Sequence, residues 1–243
     1  MKWLLALALV AASALAADDR RSGAEFMSAA TQAMQRDDAQ NPAMLWVANG
    51  EAEWNKSCVK CHGDARSSMR GVAARFPAFD AESGKVVNLS QRINLCRERK
   101  LHAAPLRLES EELLALEAYL AMQSRGMPVT PPQDANTRAA AARGQQLYNQ
   151  RIGQLNLSCA QCHDQQWGKR LAASTIPQAH AAVYPIYRLE WQAMGSLQRR
   201  LRNCMSGVRA EVPPFGAQEL TELEAWLAVR DQGMKMESPG VRP

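Results

Sequence analysis

Past its first sixteen residues this chain has no apolar run approaching the length of a membrane helix, so no membrane span is expected in its body. It is also poor in metal-binding side chains, with four histidines and six cysteines in 243 residues. A zinc site would recruit further Cys or His at short spacing around a cysteine pair, and neither CxxC pair here has them. A large excess of charge of one sign is missing as well. The net charge of +5 and pI of about 9.0 describe a weakly basic surface, suited to small anions or an acidic protein partner, with no nucleic acid implied.

What the chain does have is one pentapeptide pattern in two copies, Cys58-Val59-Lys60-Cys61-His62 and Cys159-Ala160-Gln161-Cys162-His163. In CxxCH the two thiols add across the haem vinyl groups, and the adjacent histidine ligates the iron from the proximal side. Cys58, Cys61, Cys159 and Cys162 are therefore expected to carry two covalent haem c groups, with His62 and His163 as proximal ligands. The amino terminus fits an exported protein. Lys2 precedes the apolar stretch Trp3 to Ala12, and Ala14-Leu15-Ala16 forms a small-residue cleavage site, which predicts a signal peptide over 1–16 and a soluble periplasmic product. Removing it leaves about 225 residues, enough for two domains of about 100.

The haem motifs belong to a tandem duplication. Gly50-Glu51-Ala52-Glu53-Trp54 matches Gly144-Gln145-Gln146-Leu147-Tyr148, and Phe76-Pro77 matches Tyr184-Pro185. Leu116-Glu117-Ala118-Tyr119-Leu120-Ala121 matches Leu223-Glu224-Ala225-Trp226-Leu227-Ala228, and both stretches lead to Gly-Met, at Gly126-Met127 and Gly233-Met234. The expected fold is mainly α: two cytochrome c-like domains, each with one covalent haem c. In the last helix of unit one, Ser110 is the N-cap, Glu111 and Glu112 lie in the first turn, Leu113, Leu116 and Leu120 share a face, and Gly126 is the stop. Leu220, Leu223, Leu227 and Gly233 repeat that design. Pro128-Val129-Thr130-Pro131-Pro132 is hostile to helix, which divides the chain into 17–127, a linker at 128–137, and 138–243. The extra segment from Asp18 to Asn41 has a helical pattern in which Phe26, Ala29, Ala30 and Ala33 are expected to pack across the fold.

Two cysteines remain, Cys96 and Cys204. An oxidising compartment would allow a disulfide between them. Each, however, ends a like-patterned segment, Leu89-Ser90-Gln91-Arg92-Ile93-Asn94-Leu95-Cys96 and Leu197-Gln198-Arg199-Arg200-Leu201-Arg202-Asn203-Cys204, and so recurs once per haem. A thiolate recurring in that way serves as the distal iron ligand, Cys96 for haem 1 and Cys204 for haem 2, and lowers the reduction potential. Methionine is the ordinary alternative, with Met122, Met127, Met205 and Met234 in range. His102 and His180 have no repeat partners and are expected at the surface or in the core.

The units differ in charge near the second lone cysteine. Arg230 takes the place that Gln123 holds in unit one, and Arg200 precedes Cys204 by one helical turn, although Arg92 precedes Cys96 likewise. Arg199, Arg202 and Arg209 are also close in sequence, against Arg97, Arg99 and Lys100 in unit one. Guanidinium groups beside a reactive sulfur bind oxyanions and lower the thiol pKa, which makes unit two the catalytic candidate.

The run from Tyr187-Arg188-Leu189-Glu190-Trp191-Gln192 through Cys204-Met205-Ser206-Gly207-Val208-Arg209-Ala210-Glu211, with both CxxCH motifs and both extra cysteines, resembles the SoxA family, dihaem form, over nearly the whole mature chain. The resemblance implies an L-cysteine S-thiosulfotransferase. Such an enzyme joins thiosulfate oxidatively to the carrier cysteine of SoxYZ and passes two electrons to an acceptor cytochrome c, in complex with the monohaem subunit SoxX. It implies Cys204 as active-site residue, modified to a persulfide, with Arg200 on the substrate sulfonate and Arg230 as an accessory cation. The rivals are a thiosulfate dehydrogenase that forms tetrathionate without a carrier, and a plain dihaem electron carrier.

Overall fold

A computed structural model describes residues 19–243, and the expected signal peptide at 1–16 lies outside the described residues. The chain is mainly helical and carries out one plan twice. After α1 (Ala29–Arg36), the first copy runs α2 (Met44–Ser57), α3 (Val59–His62), α4 (Ala65–Ser68), the hairpin β1 (Ala78–Asp80) and β2 (Lys85–Val87), α5 (Leu89–Leu101) and α6 (Glu111–Met122). The second runs α7 (Ala135–Asn149), α8 (Cys159–His163), a small hairpin of β3 (Arg170–Leu171) and β4 (Ser174–Thr175), the hairpin β5 (Ile186–Arg188) and β6 (Ala193–Gly195), α9 (Leu197–Gly207) and α10 (Gln218–Arg230). Strand β7 (Gly240–Arg242) then lies parallel to β5, giving the order β6-β5-β7. Among the described residues, no helix is long and apolar enough to cross a membrane.

Local chemistry sets the helix starts. Asn88 and Gln91 form a capping box at the head of α5, and Ser110 accepts the Leu113 amide at the head of α6, where Glu111 and Glu112 complement the dipole. The last helices stop slightly earlier than Gly126 and Gly233 suggest. α6 ends at Met122 and α10 at Arg230, and each glycine lies beyond, at φ of +78° and +84°. These turns join the units: Gly126 donates to the Met236 carbonyl at 2.8 Å, Met236 to the Met127 carbonyl at 2.8 Å, and Gly233 to the Val129 carbonyl at 2.9 Å. Met127 and Met234 therefore belong to this joint.

In each unit the first and last helices cross at a glycine. A Cβ on Gly50 would lie 2.0 Å from the Ala115 carbonyl oxygen, and one on Gly144 would lie 1.9 Å from that of Glu222. Only hydrogen at these points lets backbone meet backbone. One turn further on, an aromatic pair fills the crossing: Trp54 with Tyr119 at 6.2 Å, and Tyr148 with Trp226 at 6.4 Å between ring centroids.

Between the units two repeat-equivalent carboxylic acids line one cavity, half-buried Glu117 of α6 and buried Glu224 of α10. Ser90 donates to Glu117 at 2.5 Å and Asn88 to Glu224 at 3.2 Å. Burial pushes Glu117 up to about 7 and Glu224 up to about 8, the latter helped by the negative charges of Glu117 and Glu109 and opposed by Asn88 and Gln198. Such acids keep a proton in the fold that the unfolded chain releases above the ordinary carboxylate range. Their contribution to stability is complete below that range and is lost as pH rises through about 7 and 8. The melting temperature should fall between about pH 5 and pH 8, and Glu224→Gln should flatten that slope; an equally steep slope in the variant would refute the assignment.

The amino-terminal segment packs differently from its apolar pattern. Ala29, Ala30 and Ala33 of α1 are exposed, and the inward residues are Thr31, which is buried, and Gln35. Gln35 accepts the Val241 amide at 3.1 Å and a guanidinium N–H of Arg242, so polar bonding to β7 wins over burial of small methyl groups. Phe26 does pack, edge-on to Trp167 at 6.2 Å.

Candidate functional site

In unit one, Cys58 caps the end of α2 and leads into α3, which carries Cys61 and His62. Cys61 and His62 are exposed, and the His62 ring lies 5.5 Å from Trp54, whose indole N–H donates to the Gly63 carbonyl at 3.1 Å. Burial and then the neighbouring Cys96 push the Cys58 thiol up to about 11. The lone cysteine of α5 thus comes to its own CxxCH motif.

Unit two repeats this with a more enclosed centre. Ser158 and Gln161 form a capping box at the head of α8. Burial and then Cys204 push Cys159 up to about 11, which places the α9 cysteine beside this motif. His163 Nδ1–H donates to the Pro177 carbonyl at 2.7 Å. A carbonyl only accepts, so Nδ1 carries a proton there and Nε2 is the nitrogen left for a ligand role. Cys204 lies beside His163. Burial works to raise the Cys204 pKa, yet its contact with His163 and the positive charges of Arg200, His163 and Arg188 prevail, and the shift is downward. All six cysteines are free thiols, so Cys96 and Cys204 are not bridged.

These residues fit a haem c. The His163 imidazole and an acidified thiol lie together, the two motif thiols lie alongside, and Tyr148, Leu201, Met205, Leu223, Trp226 and Leu227 form an apolar cluster with Cys159. Within that cluster Trp226 Nε1 is buried without a hydrogen-bond partner among the described residues, a donor that a bound polar group would satisfy.

The arginines separate into two settings. Arg200 is half-buried beside Cys204, and its guanidinium makes no hydrogen bond or ion pair among the described residues. Arg230 is not free. It pairs with Asp164 at 2.8 Å, donates to the Gln178 carbonyl at 3.1 Å and lies 4.9 Å over the Tyr148 ring. With His163, Asp164, Trp167 and His180 it lines a cavity of about 400 Å³, so it belongs to the His163 side. Sequence reasoning placed it with Arg200 because both lie in unit two, but a helix position does not disclose which side of a neighbouring ligand it reaches.

Other residues had no signal in the sequence. Arg188 of β5, with an 11 % exposed side chain, shares the surroundings of Arg200, Tyr184 and Cys204, and burial, followed by the Arg200 charge, pushes its pKa down. Tyr184 is half-buried in the same neighbourhood, and its phenol is pushed up to about 12 by desolvation. His180 is a core residue, bonded to buried Asp231 at 2.6 Å, while His102 is exposed at the C-cap of α5.

The chain matches the family model "SoxA/TsdA, cytochrome c domain" twice, over residues 43–129 and 143–236. It is 36% identical to the L-cysteine S-thiosulfotransferase subunit SoxA of Pseudaminobacter salicylatoxidans, over 93% of this chain and 82% of that protein. It is 33% identical to the subunit of the same name from Rhodovulum sulfidophilum, over 93% and 81%. Among solved structures it resembles SoxXA from P. pantotrophus, with a TM-score of 0.88 and 31% identity over 92% of this chain and 87% of that one. With two matched cytochrome c domains and relatives of this similarity along almost its whole length, the chain belongs to the SoxA/TsdA cytochrome c family, as a SoxA.

Proposed function

We propose that this chain is the dihaem subunit of a periplasmic L-cysteine S-thiosulfotransferase, which couples thiosulfate to the carrier cysteine of SoxYZ and works bound to SoxX. The observation that carries this is the meeting of Cys204 and His163 with an Arg200 that is unpaired among the described residues and lies beside the sulfur. The two units divide at 128–137, each with one haem c: Cys58, Cys61, His62 and Cys96 hold the first, and Cys159, Cys162, His163 and Cys204 the second. A haem c in each unit would accept electrons singly and pass them to an acceptor cytochrome c. The names of the curated relatives and the SoxXA structure support the activity and the partner.

The reaction joins two anions. Thiosulfate and the carrier thiolate form a new S–S bond and give up two electrons, so three negative charges become one on the thiosulfonate product. Fixed cations must offset the repulsion of approach, and Arg200 is placed to hold the sulfonate while its outer sulfur meets Cys204. The same charges keep Cys204 acidified, which suits it to carry a persulfide. Arg230 steadies Asp164 and Tyr148 behind His163, an accessory place rather than one on the sulfonate.

The test uses the purified complex with its monohaem subunit, thiosulfate, the carrier and oxidised cytochrome c. The carrier peptide should gain a thiosulfonate by mass spectrometry as the cytochrome is reduced. Tetrathionate formed at the same rate without carrier would assign a thiosulfate dehydrogenase instead, and no turnover of either kind would leave an electron carrier.

A further inference from the structure

The two units run in one register, without insertion, from Pro77 and Pro185 through β1 and β5, β2 and β6, the caps Asn88 and Ser196, to Cys96 and Cys204. In that register Arg92 corresponds to Arg200, Asp80 to Arg188 and Arg99 to Gly207. Unit one neutralises its arginines internally: buried Asp80 binds Arg92 at 2.8 Å and takes two bonds of 2.9 Å from Arg99. The Arg99 bonds lead in holding the Asp80 carboxyl well below the usual carboxylate range. Unit two has the opposite charge at the place of that carboxylate, so Arg200 has lost the partner that Arg92 keeps.

We propose that Arg188 is a second substrate-binding residue of the Cys204 site, forming with Arg200 a two-guanidinium seat for the sulfonate of a thiosulfate dianion; this deepens, and rests on, the function proposed above. Two guanidinium groups sharing one neighbourhood repel each other, a cost that a bound dianion offsets. Arg188 is held ready for that role. Its Nε–H donates to the Pro243 main-chain oxygen at 2.8 Å, and its Nη2 pairs at 2.7 Å with Glu190, whose side chain is 64% exposed. Its guanidinium lies 5.1 Å over Trp191, with Arg199 4.1 Å from the same ring. Strand β5 is itself fixed between β6 and β7. The remaining N–H donors of the Arg188 side chain make no bond among the described residues, and guanidinium geometry suits two sulfonate oxygens at once.

The test follows from the register. Arg188→Asp would rebuild in unit two the ion pair that unit one already contains, capturing Arg200 within an arrangement the fold tolerates. The oxidised haem-loaded complex is titrated with thiosulfate, following its haem absorption, and thiosulfate-dependent carrier modification is measured in parallel. Arg188→Gln should raise the dissociation constant and KM for thiosulfate by about tenfold or more, with kcat changed less, and Arg188→Asp should raise them further. Values for Arg188→Asp within about twofold of the parent would overturn the proposal; if that variant fails to load haem, the same threshold applied to Arg188→Gln decides. A parent that binds thiosulfate, loses affinity on substitution, yet never modifies the carrier would sink the transferase activity and leave the anion seat standing.

Discussion

Cys204→Ser should leave both CxxCH motifs loaded with haem while thiosulfate turnover falls by about a thousandfold or more. Haem attachment depends on Cys159 and Cys162, and His163 keeps its bond to Pro177, so the substitution removes one sulfur and little else. A serine hydroxyl can neither become an anion under the influence of Arg200 and Arg188 nor carry a second sulfur atom. The matching Cys96→Ser should alter the low-spin signal of the other haem while turnover stays within about an order of magnitude, because Arg92, the counterpart of Arg200, is bound to Asp80, as is Arg99. Haem staining of denatured protein, electron paramagnetic resonance and turnover together check this. Equal loss of turnover in the two variants would deny unit two its special role.

Gly144→Ala should be as damaging to folding as Cys204→Ser is to chemistry. The added methyl group would meet the Glu222 carbonyl at 1.9 Å, and the obstacle is backbone, which cannot swing away. Forcing α7 from α10 would also part Tyr148 from Trp226. A loss of about 3 kcal/mol or more is expected, read as a lower melting temperature and a poor yield of haem-loaded protein. Gly50→Ala should behave similarly, since its clash with the Ala115 carbonyl is at 2.0 Å. Gly207→Ala is the control: it lies in α9 with open space around it, so helix propensity alone acts and stability should rise by up to about 1 kcal/mol. A full-yield, unshifted Gly144→Ala protein would contradict the close crossing.

Much of this was legible because the duplication supplies two readings of every element. The matched Gly50 and Gly144, the Ser110 cap with its leucine face, and the recurrence of Cys96 and Cys204 all follow from local spacing, and spacing survives folding. What the sequence did not disclose depends on which elements meet. α1 turns Gln35 rather than its alanines inward because β7 offers hydrogen-bonding groups from the far end of the chain. Arg230 reaches Asp164 beside His163, a matter of helix placement beyond the helix itself. Arg188 sits on a strand of three residues, too short for any periodic pattern, and its importance emerges only once Asp80 is seen to bind Arg92.

The acids between the units also bear on how such a chain arose. Asn88 of the first half binds Glu224 of the second, and the Gly126 and Gly233 turns bond across to the opposite half. This is the self-complementary pattern of a two-fold symmetric homodimer, in which one patch answers its own copy. A one-motif ancestor could have met these demands by pairing with itself, but every substitution would then have struck both copies together. Within a single polypeptide the two copies of a position need not match, so the first half holds Asp80 and its ion pair where the second holds Arg188.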